Sequence, residues 1–407
     1  MSFDIQNGVL IKYHEEVGVA QVVIPNDVTE IGISSFERCD SLKSVVIPDS
    51  VTSIGDRAFF GCRSLVTVTL PDSVTRLGDY VFYGCASLES VVLSYGITHI
   101  NICAFLWCES LKSVYIPESV VSIEEWAFYG CHKLVDLKIP KSVVRIASYA
   151  FHYCRSLQTI DIPEGLTSLG DHAFSGCASI EGVVIPAGVG TIAEFAFSGC
   201  CSMRTAVISD GITSIGKDAF RETSLKNIVI PESVTSIGDS AFANIRGVDS
   251  LVVPRGLKIT NDRPFGWPFY VKKATISGYT FELPFESNLD VMYVKQMLDS
   301  RKYNTRKFIT LTYRIVVGVF FTDGQAEAEA YIKENFFAVM CCFINANDYG
   351  VVKKLFDCGK FVTEENIIKI AEYSIEHTQK GGDVQIQAYI LGYRSKHFPQ
   401  LNPLECI

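Results

Sequence analysis

The chain contains 407 residues, of which 48% are hydrophobic, 20% charged and 12% aromatic. This composition excludes an intrinsically disordered chain, which has too little apolar surface to offset the entropy lost on ordering. A formal net charge of −9, from 36 basic and 45 acidic residues, argues against a nucleic-acid-binding protein, because such proteins carry a concentrated basic surface.

The amino-terminal segment predicts a β cap. Residues 3–13 alternate between apolar and polar around Asn7-Gly8, a dipeptide typical of hairpin turns. The segment has no basic stretch followed by an apolar one, so we expect no signal peptide and hence a cytoplasmic location. No run of 18 apolar residues occurs in the chain, which predicts no membrane span. We assign residues 1–24 to the cap and the first strand.

A repeat of 23 residues fills the region 25–257. In most units an apolar residue is followed by proline. Ten units also carry a phenylalanine eleven residues after this proline position. Because one unit cannot bury its apolar side alone, the repeat predicts a solenoid of about ten stacked turns. Eight of the 14 cysteines occupy one position, three residues after the phenylalanine, at Cys39, Cys62, Cys85, Cys108, Cys131, Cys154, Cys177 and Cys200.

Residues 41–62 illustrate how each turn is expected to fold. Val45 and Ile47 point inward and Val46 points outward, because side chains alternate along a strand. Pro48 ends the strand, since it has no backbone N–H to donate. The phenylalanine eleven residues later, Phe59, follows in a turn that directs its ring into the interior. Each unit therefore predicts one short parallel strand and one buried ring.

The pattern L-x-x-V-x-I-P-x-x-V-x-x-I-G-x-x-A-F-x-G-C resembles the BspA-type leucine-rich repeats over roughly residues 19–257. The resemblance implies an α/β solenoid that is curved and right-handed, with a parallel sheet on its concave side. Family members are mostly surface or secreted proteins of host-associated bacteria and some parasitic protists, implicated in adhesion and protein binding. The resemblance thus implies a cell-surface location, whereas the amino-terminal segment predicts a cytoplasmic one. It also implies a protein partner, such as a host or cell-surface macromolecule.

The column of cysteines has three interpretations. Disulfides between neighbouring turns would be strained, because equivalent side chains point the same way. A row of parallel thiols is also not the tetrahedron that zinc prefers. We therefore predict reduced thiols that fill space beside the phenylalanines.

No motif in the sequence predicts a catalytic, cofactor or metal site. Residues 211–217 reproduce the start of a phosphate-binding loop, but Asp218 replaces the hydroxyl residue that would bind magnesium, and the segment also fits the repeat. His152 and His172 lie beside their conserved phenylalanines, where we expect exposed turn positions.

Two rows of outward residues are candidate binding surfaces. The outward position of the concave strands, together with the neighbouring column that contains Asp136, forms an apolar surface with a polar centre. Its candidates are Val92, Tyr115, Asp136, Lys138, Asp161 and Val184. Partly exposed aromatic rings beside the conserved phenylalanines could grip a peptide or a sugar ring, with the candidates Tyr80, Tyr83, Trp107, Trp126, Tyr129, Tyr149 and Tyr153. Strand propensity and mutual ring stacking explain the same rows without a ligand.

The repeat fades after residue 257, and the spacing of apolar residues then changes. We expect residues 258–285 to cap the solenoid and residues 286–407 to form a small all-α domain. Thr363 is a predicted helix start, and Gly359 and Gly381 are predicted helix stops. The predicted helices include residues 326–343, 348–358, 364–377 and 383–396.

Together these patterns indicate a non-enzymatic scaffold that binds a protein through its concave face. Two alternatives stay open. The helical tail or the aromatic edge could form a homo-oligomer, which would make the protein a self-assembling one. An enzyme, the less favoured alternative, would have its site in the helical domain or at its junction with the solenoid, near Trp267, Tyr293 and Tyr331.

Overall fold

The computed structural model of the protein describes residues 2–16, 18–258, 263–266, 269–282, 289–301, 303 and 309–401, without the side chains of Asp136, Glu282, Ile309 and Thr310. The chain divides into two compact units. The first combines Met1–Lys272 with Phe285–Met292, and the second combines Lys273–Pro284 with Tyr293–Ile407.

The first unit is a parallel-strand solenoid of about 11 turns, as the repeat predicts. Most turns contribute two strands, separated by the turn that begins at the conserved proline. The longer strand of each turn belongs to the long-strand column, formed by Gln21–Val23, Ser44–Val46, Thr67–Thr69, Ser90–Val92, Ser113–Tyr115, Asp136–Leu137, Gly182–Ile185, Thr205–Ile208, Asn227–Val229 and Val248–Val253.

The second strand of each turn has two residues, and sequence reasoning did not predict it. Its inward residue is an isoleucine or a leucine, and it is buried throughout. These strands form the short-strand column, Glu30–Ile31, Ser53–Ile54, Arg76–Leu77, His99–Ile100, Ser122–Ile123, Arg145–Ile146, Ser168–Leu169, Thr191–Ile192, Ser214–Ile215 and Ser236–Ile237.

Both columns pair in register from turn to turn. In the long-strand column Val91 lies opposite Val68 and Val114, and Ile123 lies between Ile100 and Ile146 in the short-strand column. The register shift equals the length of the repeat, so each residue type lies beside itself. This stacking makes the outward rows continuous over several turns.

The amino-terminal residues form a β-hairpin. Strands Ser2–Gln6 and Val9–His14 pair antiparallel, and both turn residues have positive φ, 50° at Asn7 and 79° at Gly8. The second strand then pairs parallel with Glu30–Ile31, so the hairpin covers the first turn of the short-strand column.

A ladder of phenylalanine rings forms the centre of the solenoid. Its ten predicted members are fully buried, and neighbouring rings lie 4.9–5.7 Å apart with their planes within 15° of parallel. Tyr13 extends the ladder at the first turn, 5.2 Å from Phe36, and Phe265 extends it at the last, 5.5 Å from Phe242. Sequence reasoning missed Phe265, although it follows Pro254 by eleven residues, the proline-to-phenylalanine spacing of the other turns.

The carboxy-terminal region contains an antiparallel hairpin, Val271–Ile276 with Tyr279–Glu282, and six helices. The helices in the described residues are α1 Val291–Ser300, α2 Ile309–Asp323, α3 Ala326–Asn345, α4 Tyr349–Asp357, α5 Glu364–Gln379 and α6 Val384–His397. Helix α3 packs against α2, α4 and α5, while α6 packs against α4 and α5. None of these helices is both long and apolar enough to cross a membrane.

Side chains at the helix ends explain why three predicted helix starts are confirmed. The Asp348 carboxylate accepts the N–H of Val351 at the start of α4, and Asp383 accepts that of Gln385 at α6. Thr363 and Asn366 form a reciprocal capping box at α5. Such caps satisfy backbone donors that the first helical turn leaves open.

Candidate interaction surfaces

An apolar row covers the outward side of the long-strand column. Seven of its turns carry, at the outward position, a large apolar side chain that is 45–58% exposed. A threonine, Thr69, interrupts the row once. We call this set the valine row, consisting of Val23, Val46, Val92, Tyr115, Val184, Val207 and Val229.

The predicted polar centre of this row only partly lies on strands. Lys138 follows the strand Asp136–Leu137, and Asp161 lies in residues 157–163, where no strand forms. The expectation that Lys138 and Asp161 are strand residues is therefore wrong, although both are exposed. Aspartate is poorly suited to a strand, and it replaces the usual valine in this turn. The side chain of Asp136 is outside the described residues.

Tyr115 has an aromatic neighbour that sequence reasoning missed. Its ring meets that of Tyr95 edge to face, with centroids 6.1 Å apart, and both rings are about half exposed or more. The nearby hydroxyl of Tyr95 raises the pKa of Tyr115. Tyr95 follows Ser94, which replaces the repeat proline. The pair adds two phenol groups to the valine row at its fifth turn.

The outward positions of the short-strand column carry different residues. Half of the ten are serine, and the other turns carry Glu30, Arg76, His99, Arg145 and Thr191. At the centre, His99 Nδ1 lies 2.7 Å from the Ser122 hydroxyl, which donates to the Glu124 carboxylate at 2.6 Å. The two strand columns thus present an apolar surface and a polar one.

Five of the seven aromatic candidates, all except Tyr83 and Tyr129, lie at positions with left-handed backbone. Two residues per turn, one on each side of the conserved phenylalanine, have positive φ. The N–H of the preceding one bonds to the next turn, as in Tyr149 to Asp171 O at 2.9 Å, and such bonds offset the strain of this conformation. We call the preceding position the outer column, which consists of Ser34, Arg57, Tyr80, Cys103, Trp126, Tyr149, His172, Phe195, Asp218 and Ser240, with φ of 51–61°.

Four rings of the outer column stack face to face. Centroids lie 4.5 Å apart for Trp126 and Tyr149, 4.5 Å for Tyr149 and His172, and 4.4 Å for His172 and Phe195. The three interplanar angles are 16°, 8° and 6°. Cys103 precedes Trp126 in the column and separates this stack from Tyr80.

The remaining aromatic candidates cluster around Tyr129. Its ring lies 5.1 Å from Trp107, 5.2 Å from Trp126 and 5.9 Å from Tyr153. Tyr80 and Tyr83 form a separate tilted pair, with centroids 6.2 Å apart. Trp126 and Tyr153 are each 37% exposed. The structure therefore brings five of the seven candidates, Trp107, Trp126, Tyr129, Tyr149 and Tyr153, into one patch.

The expectation that His152 and His172 are exposed is wrong. His172 lies inside the ring stack, and the His152 ring packs 4.0 Å from Tyr153. Both Nδ1 atoms are buried, and neither has a hydrogen-bond partner among the described residues. Burial lowers the pKa of His152 to about 4. Burial also lowers the pKa of His172, although the nearby carboxylates of Asp171 and Glu194 act to raise it. This environment favours the neutral form of both imidazoles.

The cysteine column connects neighbouring turns. Each thiol from Cys62 to Cys200 donates a hydrogen bond to the phenylalanine carbonyl of the preceding turn, at 3.0–3.3 Å. Burial raises the pKa of Cys108 and Cys131 well above its usual range. These contacts give the column a structural role.

The segment that resembles a phosphate-binding loop is an ordinary turn of the solenoid. Its amides are used for turn-to-turn pairing, since Thr213 N–H donates to Gly190 O at 2.7 Å and Gly216 N–H to Ile192 O at 2.7 Å. Asp218 is buried and pairs with Arg221 at 3.3 Å. In the described parts of the chain, no three His, Cys, Asp or Glu side chains are placed to hold a metal ion.

The helical region contains one network of phenols. Tyr279 donates to Asp323, Gln325 donates to Tyr279, and Tyr303 donates to Gln325 at 2.8 Å. Burial raises the pKa of Tyr303 to about 12. Of the residues expected for an enzyme site, Trp267 lies outside the described residues.

Comparisons with known proteins bear on this repeat. The family model for the BspA type leucine rich repeat region matches residues 12–135 and 122–249, in six copies. A leucine-rich repeat protein from Bacteroides ovatus is 24% identical with a TM-score of 0.51, over 68% of this chain and 67% of that one. One from Eubacterium ventriosum is 27% identical with a TM-score of 0.40, over 42% and 46%. A leucine rich cell surface protein from Faecalibacterium prausnitzii is 28% identical with a TM-score of 0.39, over 61% and 85%. No curated protein matches the sequence.

Proposed function

This chain belongs to the BspA-type leucine-rich repeat family, and from this premise we propose that it is a non-catalytic scaffold that binds another protein through the valine row. Leucine-rich repeat arrays are protein-interaction frameworks whose extended surfaces suit large partners. The finer proposal concerns which surface of this chain is used and what it recognises.

The observation that carries the proposal is the difference between the two strand columns. Valine is a good strand former, and strand propensity alone would favour it at outward positions of both columns. The short strands instead carry serine, threonine, arginine, histidine and glutamate there. Among the outward strand positions, half-exposed valines are thus confined to the long-strand column, and an exposed apolar surface of this kind is typical of a protein-binding site.

The row also suggests the character of the partner. Val184, Val207 and Val229 offer apolar contacts after the strand interruption, while Val23, Val46 and Val92 do so before it. The phenols of Tyr95 and Tyr115 and the charged Lys138 and Asp161 lie between these two sets. We expect a partner with two apolar segments separated by hydrogen-bonding groups, and an adhesion-type role towards a host or cell-surface protein fits this description.

A quantitative pull-down from host and bacterial lysates tests the proposal. The baits are the full chain, a Val92→Asp/Val184→Asp variant and a matched Ser53→Asp/Ser214→Asp variant of the short-strand column. We expect at least one protein that the full chain and the serine variant retain equally and that the valine variant loses. A partner lost only from the serine variant would contradict the proposal.

A smaller change tests the polar centre by the same assay. We expect Tyr115→Ser with Lys138→Ser to weaken retention of that protein, while thermal unfolding stays within a few degrees of the unsubstituted chain because both side chains are exposed. Light scattering of each bait addresses self-assembly. A dimer that the valine substitutions dissociate would identify a second copy as the occupant of the row and replace the proposed partner.

A further inference from the structure

The outer column has a missing ring at Cys103. On one side of this position lies Tyr80, and on the other the face-to-face stack begins at Trp126. Within that stack each ring covers the face of the next at 4.4–4.5 Å. Cys103 carries no ring, so the face of Trp126 that points away from Tyr149 has no aromatic partner in this column. Its 37% exposure makes it one of the two most exposed aromatic candidates.

Basic side chains lie against the terminal rings of the outer column. The guanidinium carbon of Arg57, one turn before Tyr80, lies 5.4 Å from the Tyr80 centroid. At the other end of the stack, Lys217 Nζ lies 5.9 Å from the Phe195 centroid. Cations are attracted to the faces of aromatic rings, and a guanidinium also stacks on them as a plane. The row of rings is therefore bounded by basic side chains at both ends.

Charge around Cys103 favours a cation there as well. Asp79 precedes Tyr80 and Glu125 precedes Trp126, and both carboxylates act electrostatically on the Cys103 thiol. The Cys103 N–H donates to the carbonyl oxygen of Glu125 at 3.0 Å, which places the two turns in contact. Arg145 reaches Glu125 only at 3.8 Å and pairs more closely with Glu124, so the Glu125 carboxylate is loosely paired.

We propose that the Cys103 position of the outer column binds the guanidinium group of an arginine side chain from a partner protein, between Tyr80 and Trp126 and beside Asp79 and Glu125. The thiol is 5% exposed and forms the floor of the site. A planar cation matches the spacing of the stack, whereas the rounder ammonium of lysine does not. The site lies on the turns rather than on the strands, so it is independent of the valine row.

The experiment uses the full chain labelled with 5-fluorotryptophan, whose three signals are assigned with Trp126→Phe. Titration with N-acetylarginine amide is expected to shift the Trp126 signal saturably and leave the other two in place. N-acetyllysine amide should bind several-fold more weakly, and the uncharged citrulline analogue at least about tenfold more weakly, because it keeps the shape without the charge. Equal binding of the citrulline analogue, or no shift of Trp126, overturns the proposal.

Two variants separate binding from folding. Cys103→Phe supplies the missing ring at a position where neighbouring turns already carry aromatic residues. We expect this variant to keep its melting temperature and to lose binding at least about tenfold. Asp79→Asn with Glu125→Gln leaves every ring in place and should weaken binding several-fold. Unchanged binding in the carboxylate variant would overturn the proposal even if Cys103→Phe failed to fold.

Discussion

The thiol of Cys62 donates a hydrogen bond to the carbonyl oxygen of Phe36, one turn earlier, with Sγ and O 3.0 Å apart. The same contact recurs along the column, and it joins the two most regular residues of the repeat. The thiol thus stabilises the stacking of turns in addition to filling space. It acts on the backbone of the residue whose ring forms the core.

We expect Cys131→Ala to lower the free energy of unfolding by about 1–2 kcal/mol, because it removes this bond and leaves a small cavity. Urea unfolding followed by circular dichroism measures the change. Cys201, which is exposed, is the matched control, and Cys201→Ala should stay within about 0.5 kcal/mol. Equal effects of the two substitutions would remove the structural role of the column.

The column thiols are expected to resist alkylation in the folded protein. Only the thiolate reacts, and burial raises the pKa of Cys131 and Cys177 well above its usual range. With iodoacetamide at pH 7.5, followed by peptide mass spectrometry, Cys201 should react at least about a hundredfold faster than the column. In urea all should react alike. A column already oxidised before urea is added would refute the prediction of reduced thiols.

Acid is expected to weaken the solenoid through His152. Burial lowers the pKa of its imidazole to about 4, whereas the unfolded chain titrates near 6.5. Between these values only the unfolded state takes up the proton, so the free energy of unfolding falls as the pH drops from about 6.5 to 4 and then levels off. The His172 ring and the rings of Tyr129, Tyr149 and Tyr153 face this imidazole, and no carboxylate is among its neighbours in the ring cluster.

The variant His152→Phe tests this pH dependence. It keeps a ring at the site but cannot be protonated, so it should lose about 1–2 kcal/mol less stability than the unsubstituted chain between pH 7 and pH 4.5. Urea unfolding at both pH values provides the comparison. If the two proteins lose stability equally, other groups cause the acid sensitivity.

The phenylalanine ladder should be sensitive at its centre. Phe128 is fully buried and stacks on rings of both neighbouring turns, at 5.1 and 5.2 Å. We expect Phe128→Ala to cost about 3–5 kcal/mol in urea unfolding, through lost contacts and a cavity. Phe60, next to a ladder residue but only half-buried, is the matched control and should cost about 1 kcal/mol.

Helix α5 depends on its capping box. The Thr363 hydroxyl accepts the N–H of Asn366, and the Asn366 side chain accepts the N–H of Thr363. Thr363→Ala should lower the free energy of unfolding by about 1 kcal/mol, while Thr363→Ser should keep most of it, because serine also caps well. Unfolding by urea distinguishes the two. An alanine variant as stable as the serine variant would contradict the role of the cap.

Most of the solenoid could be predicted because its rules are local. The 23-residue period predicts where the equivalents of Phe59 and Cys62 lie in the other turns. Two-residue alternation separates the inward Val45 from the outward Val46. The same spacing also reached Phe265, which was missed where the other repeat positions fade. Caps at Thr363 and Asp383 were readable for a similar reason, since a helix start is decided within four residues.

The candidate surfaces were less predictable. The outward order of the valine row followed from alternation, but the loss of strand at Asp161 and the pairing of Tyr115 with Tyr95 did not. The left-handed backbone beside the conserved phenylalanine had an indirect signal in the sequence. Glycine, which favours positive φ, occupies the position two residues after the phenylalanine at Gly84 and Gly130. The aromatic residues of the outer column gave no comparable signal for their backbone conformation.

By itself, the sequence determined the family, the turns and the repeated core residues, because these depend on spacing within one repeat. Only the tertiary structure decided that His172 lies between Tyr149 and Phe195, that His152 is partly buried among aromatic rings, and that the ring stack begins at Trp126, one turn after Cys103. Those relationships join residues of different turns, and their geometry depends on backbone conformations that bring the turns together. The interior could therefore be predicted from spacing along the chain, whereas the surface could be described only from the folded structure.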